Sequence, residues 1–582
     1  MITDFRTNVA NVFVIGSGAA GLRAAIACKQ AGLDVVVVGK RARGDAHTAL
    51  AAGGINAALG SRDPEDSWEQ HFADTYQEAY HLAIPRMVEI LAREAPQAIL
   101  ELAGWGCRFN RTEDGQIDQR YFGAHKYRRT CYAGDFTGRE ILNTLDNKAS
   151  ELRIPVFSNQ YVTRLLVTNG VCFGGLAFDI NTGDRSVYLA DAVVLATGGH
   201  TRLWRRSSSR RDENTGDGMY LAMQAGCSLA GMELVQFHPT GMVHPEEWAG
   251  VLVTEAVRGE GGFLLNSKGE RFMQRYDPQR MELSTRDRVA LAVYTEILEG
   301  RAGPHGGVFL DISHKGRDLI RQKLPQIYRQ FLEAQMLDIS QEKMEVAPTA
   351  HYSMGGVVVE PDSAATGVEG LFAAGEVTSG LHGANRLGGN SLVETIVFGR
   401  RAGEAAAEHS RSLTAQPRSP KAVRQAMEEI EAMFGEGEEL PRLIQRRVRD
   451  VLWQYCGVVR SEERIHTGLQ VIRELEQQAA HLDLKPGEGA YRDLAIAHDL
   501  RAGLRIAEIT LLSALERRES RGAHQRYDFP DVDEGMQVSI STSLDEHGGI
   551  RIRREELPPI PNFLAERVAE VSDYDIQGRL LE

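Results

Sequence analysis

A glycine-rich turn near the start of the chain constrains the fold more than any other feature. An apolar run at 12–15 leads into this turn, an amphipathic segment follows at 19–30, and a second apolar run stands at 35–38. This order predicts a β-strand, an α-helix and a parallel β-strand. Gly16 would make the tight turn, Gly18 would let a pyrophosphate approach the backbone, and Gly21 would let helix and strand pack closely. The pyrophosphate would lie at the positive end of the helix, with Ala19 and Ala20 in its first turn.

The residues after the second predicted strand favour FAD over NAD. Gly39 and Lys40 stand where NAD-binding domains usually carry an acidic residue for the ribose. Three later segments would bring the chain back beside the nucleotide. Each alone could be an ordinary turn, but together, in this order, they predict a flavin site. These segments are Ala196-Thr197-Gly198-Gly199, Thr215-Gly216-Asp217-Gly218 and Gly375-Glu376.

Length and composition exclude several classes of protein. A chain of 582 residues exceeds one hydrophobic core, so we expect two or three domains. Its 66 Lys and Arg against 80 Asp and Glu give a net charge of −14, which argues against nucleic-acid binding. We find no apolar run of about 18 residues and no room for a signal peptide before the first strand, so we expect a cytoplasmic chain. The six scattered cysteines predict neither disulfides nor an iron–sulfur or metal site.

Periodicity divides the rest of the chain. Short β-branched runs broken by turns predict a meander of hairpins at 161–196. Four arginines among serines at 205–211 predict a solvated loop, with a phosphate site as the alternative. The tail from Arg521 is expected to wrap the surface. Helical periods lie at 65–104, 138–151, 285–298, 316–334, 391–409 and, as a separate bundle, 421–519.

Long strings resemble the flavoprotein subunits of succinate dehydrogenase and fumarate reductase, with L-aspartate oxidase as a close relative. The resemblance is dense from about 10 to 410 and thinner beyond. It rests on His47-Thr48 with Gly53-Gly54, Arg129-Thr130-Cys131-Tyr132, Phe237-His238-Pro239-Thr240-Gly241, the run 254–262, Arg286-Asp287, His351-Tyr352-Ser353-Met354-Gly355-Gly356 and the run 382–392.

The resemblance implies an α/β fold with four parts. A Rossmann-like FAD-binding domain would comprise 1–233 and 351–415, and an α+β capping domain would be inserted at 234–350. A helical domain would follow at 416–520, and a C-terminal tail or small domain at 521–582.

A four-carbon dicarboxylate needs charge-assisted donors at both ends, because burying an unpaired carboxylate is prohibitive. Arg386 can present a bidentate fork to one carboxylate, with His351 alongside. His238 and Thr254 suit the other end. The resemblance makes these the substrate-binding residues, with Leu252 packing on the carbon skeleton. A buried structural histidine is the alternative for each of the two histidines.

Succinate oxidation removes a hydride from one carbon and a proton from its neighbour, and flavin N5 would take the hydride. The resemblance implies that Arg286 moves the proton, fed through Glu255 and Arg258. An arginine acid is awkward because guanidinium has a pKa above about 12. His238 is therefore kept as a second proton donor. Glu255 and Arg258 could also be a simple ion pair on one helical face.

The resemblance further implies that His47 is bonded covalently to the flavin, with Thr48, Gly53 and Gly54 beside it. Asp45 departs from the family pattern before this histidine, and a surface histidine is the alternative. The helix beginning at Asn390, Ser391 and Leu392 could stabilise charge on the flavin's N1/O2 edge. Ser391 as a plain N-cap is the competing explanation.

These inferences predict a succinate/fumarate flavoprotein subunit that carries FAD and no metal. Electrons would pass to an iron–sulfur subunit docked on a membrane anchor, which would place the chain on the cytoplasmic face of the cell membrane. L-aspartate oxidase with noncovalent FAD is the enzymatic alternative. A flavin-free scaffold built on a decayed enzyme fold is the alternative from another class.

Overall fold

The computed structural model describes residues 5–485 and 490–569. Its strands are β1 Phe5–Ile15, β2 Val35–Val38, β3 Ile55–Asn56, β4 Gln119–Arg120, β5 Thr130–Cys131, β6 Val156–Phe157, β7 Gln160–Thr168, β8 Val171–Asp179, β9 Arg185–Leu195, β10 Leu229–Ala230, β11 Val235–Met242, β12 Phe263–Leu265, β13 Val308–Asp311, β14 Met344–Ser353, β15 Gly356–Val357, β16 Leu371–Ala373, β17 Val459–Arg460, β18 Gln525–Arg526, β19 Val538–Leu544 and β20 Ile550–Glu556. Its helices are α1 Ala19–Gln30, α2 Trp68–Glu78, α3 Pro85–Gly104, α4 Thr137–Glu151, α5 Asp217–Ala225, α6 Ala256–Gly259, α7 Met273–Tyr276, α8 Arg286–Leu298, α9 Arg317–Lys323, α10 Pro325–Gln335, α11 Asn390–Ser412, α12 Pro420–Glu431, α13 Pro441–Tyr455, α14 Glu462–Gln478, α15 Ala490–Glu516 and α16 Asn562–Ala569.

A seven-stranded sheet forms the centre of the FAD-binding part. The strand order is β6-β2-β1-β9-β8-β7, and β16 pairs with β9. β1 pairs in parallel with both β2 and β9, and the apolar run at 12–15 is buried on both faces of the sheet. The predicted strand, helix and strand are confirmed, with α1 and β2 at the predicted bounds. The hairpin meander is confirmed as β7, β8 and β9.

A second sheet, ordered β11-β14-β13-β12, organises the capping part around its own hydrophobic cluster. β11 carries His238 and its antiparallel partner β14 carries His351. The single helix predicted at 316–334 is wrong, because the chain forms α9 and α10 with Leu324 between them. Pro325 starts α10, and a residue before proline avoids the helical conformation.

Four helices, α12 to α15, confirm the predicted helical bundle, in which α13, α14 and α15 pack on one another. The expectation that the tail only wraps the surface is wrong. β19 pairs with β10 of the FAD-binding part and with β20, and His524 is fully buried. The tail's last residues, 570–582, lie outside the described part of the chain.

Two further expectations concern membranes and thiols. Among the described residues, none of the helices combines the length and apolar character that crossing a membrane requires. All six cysteines are free and buried.

Candidate active site

A cavity opens between the FAD-binding and capping parts and gathers most of the predicted site residues. The predicted cofactor residues on its wall are Gly16, Gly18, Ala19, Ala20, Gly39, Lys40, His47, Thr48, Gly53, Gly54, Ala196, Thr197, Gly198, Asp217, Glu376, Ser391 and Leu392. The predicted substrate and catalytic residues there are His238, Leu252, Thr254, Glu255, Arg286, His351 and Arg386. Gly21, Gly199, Arg258 and Asn390 are not on the wall.

Two glycines of the turn at 16–21 lie too close to neighbouring backbone to carry a side chain. Gly16 has φ of +118°, and a Cβ there would lie 2.0 Å from the Ala196 carbonyl oxygen. A Cβ on Gly21 would lie 1.8 Å from the Gly16 carbonyl oxygen, so glycine at 21 lets α1 approach the turn closely. A side chain at either position would force the backbone apart.

Three helices begin at the cavity after a glycine that provides no side-chain cap. They are α1 after Gly18, α5 after Gly216 and α11 after Gly389. The N-terminus of a helix presents free N–H groups and a partial positive charge. Three such ends, with the glycine cradle, fit the pyrophosphate and the electron-rich ring edge of FAD.

The start of α11 excludes the alternative explanation given for Ser391. Ser391 is not the N-cap, because the helix already begins at Asn390. The Asn390 side chain instead forms hydrogen bonds with Asn56, His71 and Thr75 at 2.7, 2.9 and 2.9 Å. These bonds hold the first turn of α11 in place. Asn56 and His71 carry no sequence signal that singled them out.

Lys40 lies on the cavity wall in a charged cluster that the sequence did not reveal. Its Nζ is 3.0 Å from Asp217 and 3.3 Å from Asp499, which belongs to α15 of the helical bundle. Thr215 and Tyr161 donate hydrogen bonds to the same Asp499 oxygen. Burial works to lower the pKa of Lys40, but the two carboxylates raise it, so the ammonium stays charged.

His47 faces the cavity and is held by a charged network. Its Nδ1 lies 3.2 Å from Glu213 Oε2, and Arg210 bonds to Asp45 at 3.0 Å. Asp45 also accepts a hydrogen bond from Arg41 at 2.7 Å, so the residue that departs from the family pattern is paired with two arginines. Burial opposes protonation, but the hydrogen bond and charge of Glu213 raise the pKa of His47.

The segment at 205–211 is not the solvated loop that was predicted. Ser207 and Ser209 are buried, and Ser208 Oγ lies 2.9 Å from Nδ1 of His351 on the cavity wall. Arg210 joins the His47 network. The serines lie against the cavity because the segment at 205–211 forms a β-bridge with β14, between Ser207 and Ala350.

Two arginines meet at one amide oxygen at the capping end. Arg286 Nη1 and Arg386 Nη2 each donate to Gln236 Oε1 at 3.1 Å. Arg386 stacks on Tyr352, 4.3 Å from its ring centre, and within the described chain its Nε has no hydrogen-bond partner. Burial, reinforced by the charge of Arg286, lowers the pKa of Arg386 to about 9. A buried guanidinium with spare donors suits an anionic ligand.

His238 and His351 lie edge to face beside these arginines, with ring centres 5.2 Å apart. Burial first, then the charge of Arg286, keeps the pKa of His238 well below its ordinary range, and burial does the same for His351. Both rings are therefore neutral near pH 7 and suit hydrogen bonding to a carboxylate. A neutral His238 is a weak proton donor, which favours Arg286 for that role.

Glu255 lies between two buried arginines. Arg286 Nε donates to Glu255 Oε2 at 2.9 Å, and Arg258 Nη2 lies 3.9 Å from the same oxygen. The Gly123 N–H bonds to Oε1 at 2.9 Å. Burial would raise the pKa of Glu255, but the two guanidiniums lower it to about 2, so the carboxylate is ionised. Arg258 lies behind Glu255 and donates to the Glu282 carbonyl oxygen at 2.5 Å.

Comparison with known proteins agrees with this geometry. The FAD binding domain family model matches residues 11–392, and the fumarate reductase flavoprotein C-term model matches 445–567. The chain is 44% identical to a subunit of the fumarate reductase (CoM/CoB) of Methanothermobacter marburgensis, covering 91% of this chain and 96% of that protein. It is 37% identical to the succinate dehydrogenase flavoprotein subunit of Rickettsia bellii, covering 93% and 94%.

Solved structures give the same result. Sdh1 of Mycobacterium smegmatis superposes with a TM-score of 0.88 at 40% identity, covering 98% of each chain. FrdA of E. coli quinol fumarate reductase superposes with a TM-score of 0.91 at 33% identity, covering 96% of this chain and 99% of that one. The chain is therefore an FAD-dependent oxidoreductase that belongs to the succinate dehydrogenase and fumarate reductase flavoprotein family.

Proposed function

We propose that this chain interconverts succinate and fumarate. The observation that carries the proposal is the pair of buried guanidiniums, Arg286 and Arg386, held on Gln236 Oε1 beside two neutral histidines. Such a set can neutralise a dicarboxylate without water, since the partners supply charge-assisted hydrogen bonds at each end. The names of the relatives support succinate and fumarate as the acids.

The two carboxylates would bind at opposite ends of the capping site. Arg386 and His351 would hold one, while His238 and Thr254 would hold the other. Leu252, which lines the same wall, would lie against the carbon chain and exclude water. Orientation by fixed donors lowers the entropic part of the barrier.

FAD, when bound, supplies the hydride acceptor or donor at N5, chemistry that no side chain provides. Arg286 would hold the proton at a guanidinium nitrogen near the substrate carbon. Glu255, which accepts a hydrogen bond from Arg286 Nε, would pass on the next proton to Arg286 after each transfer. Arg258 would stabilise Glu255 as charge moves. The 2.9 Å hydrogen bond from Arg286 Nε to Glu255 Oε2 supports this order, because it gives a direct path between the two groups.

We further propose that His47 carries the flavin covalently. Its position on the cavity wall and its hydrogen bond to Glu213 support this, because Glu213 orients the ring. Protein precipitated with acid should keep its yellow colour, and His47→Ser should release all of it to the supernatant. Complete release from the unaltered protein would contradict the link.

Electrons would be exchanged with an iron–sulfur subunit, itself docked on a membrane anchor at the cytoplasmic face of the cell membrane. The six cysteines are buried and far apart in sequence, so they offer no accessible cluster ligands in the described chain. Purification of the native complex with iron analysis tests this. An active native protein without any iron-containing partner would contradict it.

The decisive assay compares two reactions of the purified protein. Malonate-inhibited succinate oxidation with an artificial acceptor is expected, together with fumarate reduction by a reduced dye. The rival activity, L-aspartate oxidation, would produce peroxide when aspartate is added. Aspartate-dependent peroxide without succinate oxidation would overturn the proposal.

A further inference from the structure

Three potential metal ligands lie together on the capping part, away from the cavity. They are His244 after β11, His305 before β13 and Glu345 on β14, and one ligand atom of each lies within 4.8 Å of the others. Glu345 is buried, His244 is half-buried and His305 is exposed, so an ion could enter from solvent. None of the three lines the FAD and substrate cavity.

The carboxylate of Glu345 is fixed by the loop that carries His305. Its Oε1 accepts the backbone N–H groups of His305 and Gly307 at 2.9 and 3.0 Å. A Cβ on Gly303 would lie 2.8 Å from this oxygen, so glycine at this position lets the loop pass close to the carboxylate. This leaves Oε2 directed at the His305 ring, 2.8 Å from Nδ1.

The second histidine is held by a different element. The His244 carbonyl oxygen accepts a hydrogen bond from Gln335 on α10 at 2.6 Å. Its ring stacks on that of His305 with centres 3.7 Å apart and planes 20° from parallel. Two imidazoles and a carboxylate thus converge from three segments, and in the described chain Glu345 has no ion-pair partner besides His305.

We propose that His244, His305 and Glu345 bind a divalent transition-metal ion of the Zn²⁺ type. Two histidine nitrogens and one carboxylate oxygen form a donor set that such ions take, with water completing the coordination. The two rings, which stack on each other, would turn apart on binding so that one nitrogen of each faces the ion. The ion would tie the end of β11 to β14 and to the 303–307 turn. His238 and His351 lie further along the same two strands, so the ion would brace the capping sheet without touching substrate.

The test uses the flavin-loaded protein, prepared without a polyhistidine tag and treated with a chelator. Titration with Zn²⁺ is expected to show one saturable site per chain. Co²⁺ in its place should give visible ligand-field absorption. His244→Gln, His305→Gln and Glu345→Gln should each weaken binding by about tenfold or more. Glutamine at 345 keeps an oxygen for the two backbone N–H groups.

The matched control is the variant His314→Gln. His314 is an exposed histidine of the capping part, and its ring stacks on Phe263. It should bind Zn²⁺ like the unaltered protein. Flavin absorbance and circular dichroism establish that each variant is folded. The proposal is overturned if the unaltered protein has no saturable site, or if the three variants bind as tightly as His314→Gln. Zn²⁺ bound by the buried cysteines would bind equally to all the variants, because none of the substitutions changes a cysteine, so such binding could not produce the expected loss.

Discussion

Gln236 Oε1 accepts a hydrogen bond from Arg286 and another from Arg386, each at 3.1 Å. Its Nε2 in turn donates to Asn385 Oδ1 and to the Arg386 carbonyl oxygen. One amide therefore sets the separation of the proposed proton-transfer arginine and the proposed substrate-binding arginine. The two like charges are held near each other, and Arg386 Nε, which has no hydrogen-bond partner in the described chain, stays available for a substrate.

Replacing this amide tests that arrangement. Gln236→Leu removes the shared acceptor, and each unpaired buried donor costs about 1–3 kcal/mol. We expect kcat/KM for succinate to fall by about a hundredfold, with flavin content unchanged. Steady-state kinetics with malonate inhibition measure it. Gln470→Leu, an exposed glutamine on α14, should behave as the unaltered protein. Equal kinetics for both variants would refute a positioning role.

The guanidinium of Arg286 is expected to be indispensable for turnover. Arg286→Lys and Arg286→Gln should abolish succinate oxidation, because neither side chain can bond to Glu255 and to Gln236 in the same geometry. The flavin spectrum should persist. Arg288→Gln serves as the control, since Arg288 is exposed two residues further along the same helix. Substantial activity in Arg286→Gln would eliminate Arg286 as the proton carrier.

The sequence could predict what is local in the chain. β1, α1 and β2 follow from apolar runs and a helical period, and Arg386 and His351 stand in recognisable strings. Gln236 and Asp499 could not be found this way, because their roles depend on contacts across the fold. Gln236 meets a residue 150 positions away, and Asp499 meets Lys40, 459 positions away. The break between α9 and α10 at Leu324 did have a local signal, Pro325, but the continuous helical period across it obscured that signal.

Acid should destabilise the fold below about pH 6.5. Burial lowers the pKa of His71 and of His200 to about 3, and keeps the pKa of His125 and of His524 well below the ordinary value. Unfolding frees these rings to take up protons at their ordinary pKa of about 6.5. Their contribution to stability is therefore fully present above that pH, and it is lost progressively as the pH falls from about 6.5 toward the low pKa values of the folded state.

The melting temperature, followed by flavin fluorescence, should drop steeply between pH 7 and pH 5. His200→Gln removes one proton-binding group and should flatten this dependence. His547→Gln, at an exposed position on the hairpin turn between β19 and β20, should leave the slope unchanged. A melting temperature that does not vary over this range would contradict the role assigned to the buried histidines.

Asp499 is expected to couple the helical bundle to flavin retention. It holds Thr215 and, on the cavity wall, Lys40, and Tyr161 donates to the same carboxylate. Asp499→Asn removes one of the two carboxylates that contact Lys40 in the described chain, so the loop that follows β2 should be held less firmly. We expect noncovalent FAD to bind about tenfold more weakly, measured by fluorescence titration of the His47→Ser, Asp499→Asn double variant against His47→Ser alone. Asp493→Asn, half-exposed on the same helix and paired with Arg442, is the matched control. Equal FAD affinity for the Asp499 and Asp493 variants would show that the contact between the bundle and Lys40 does not support the cofactor.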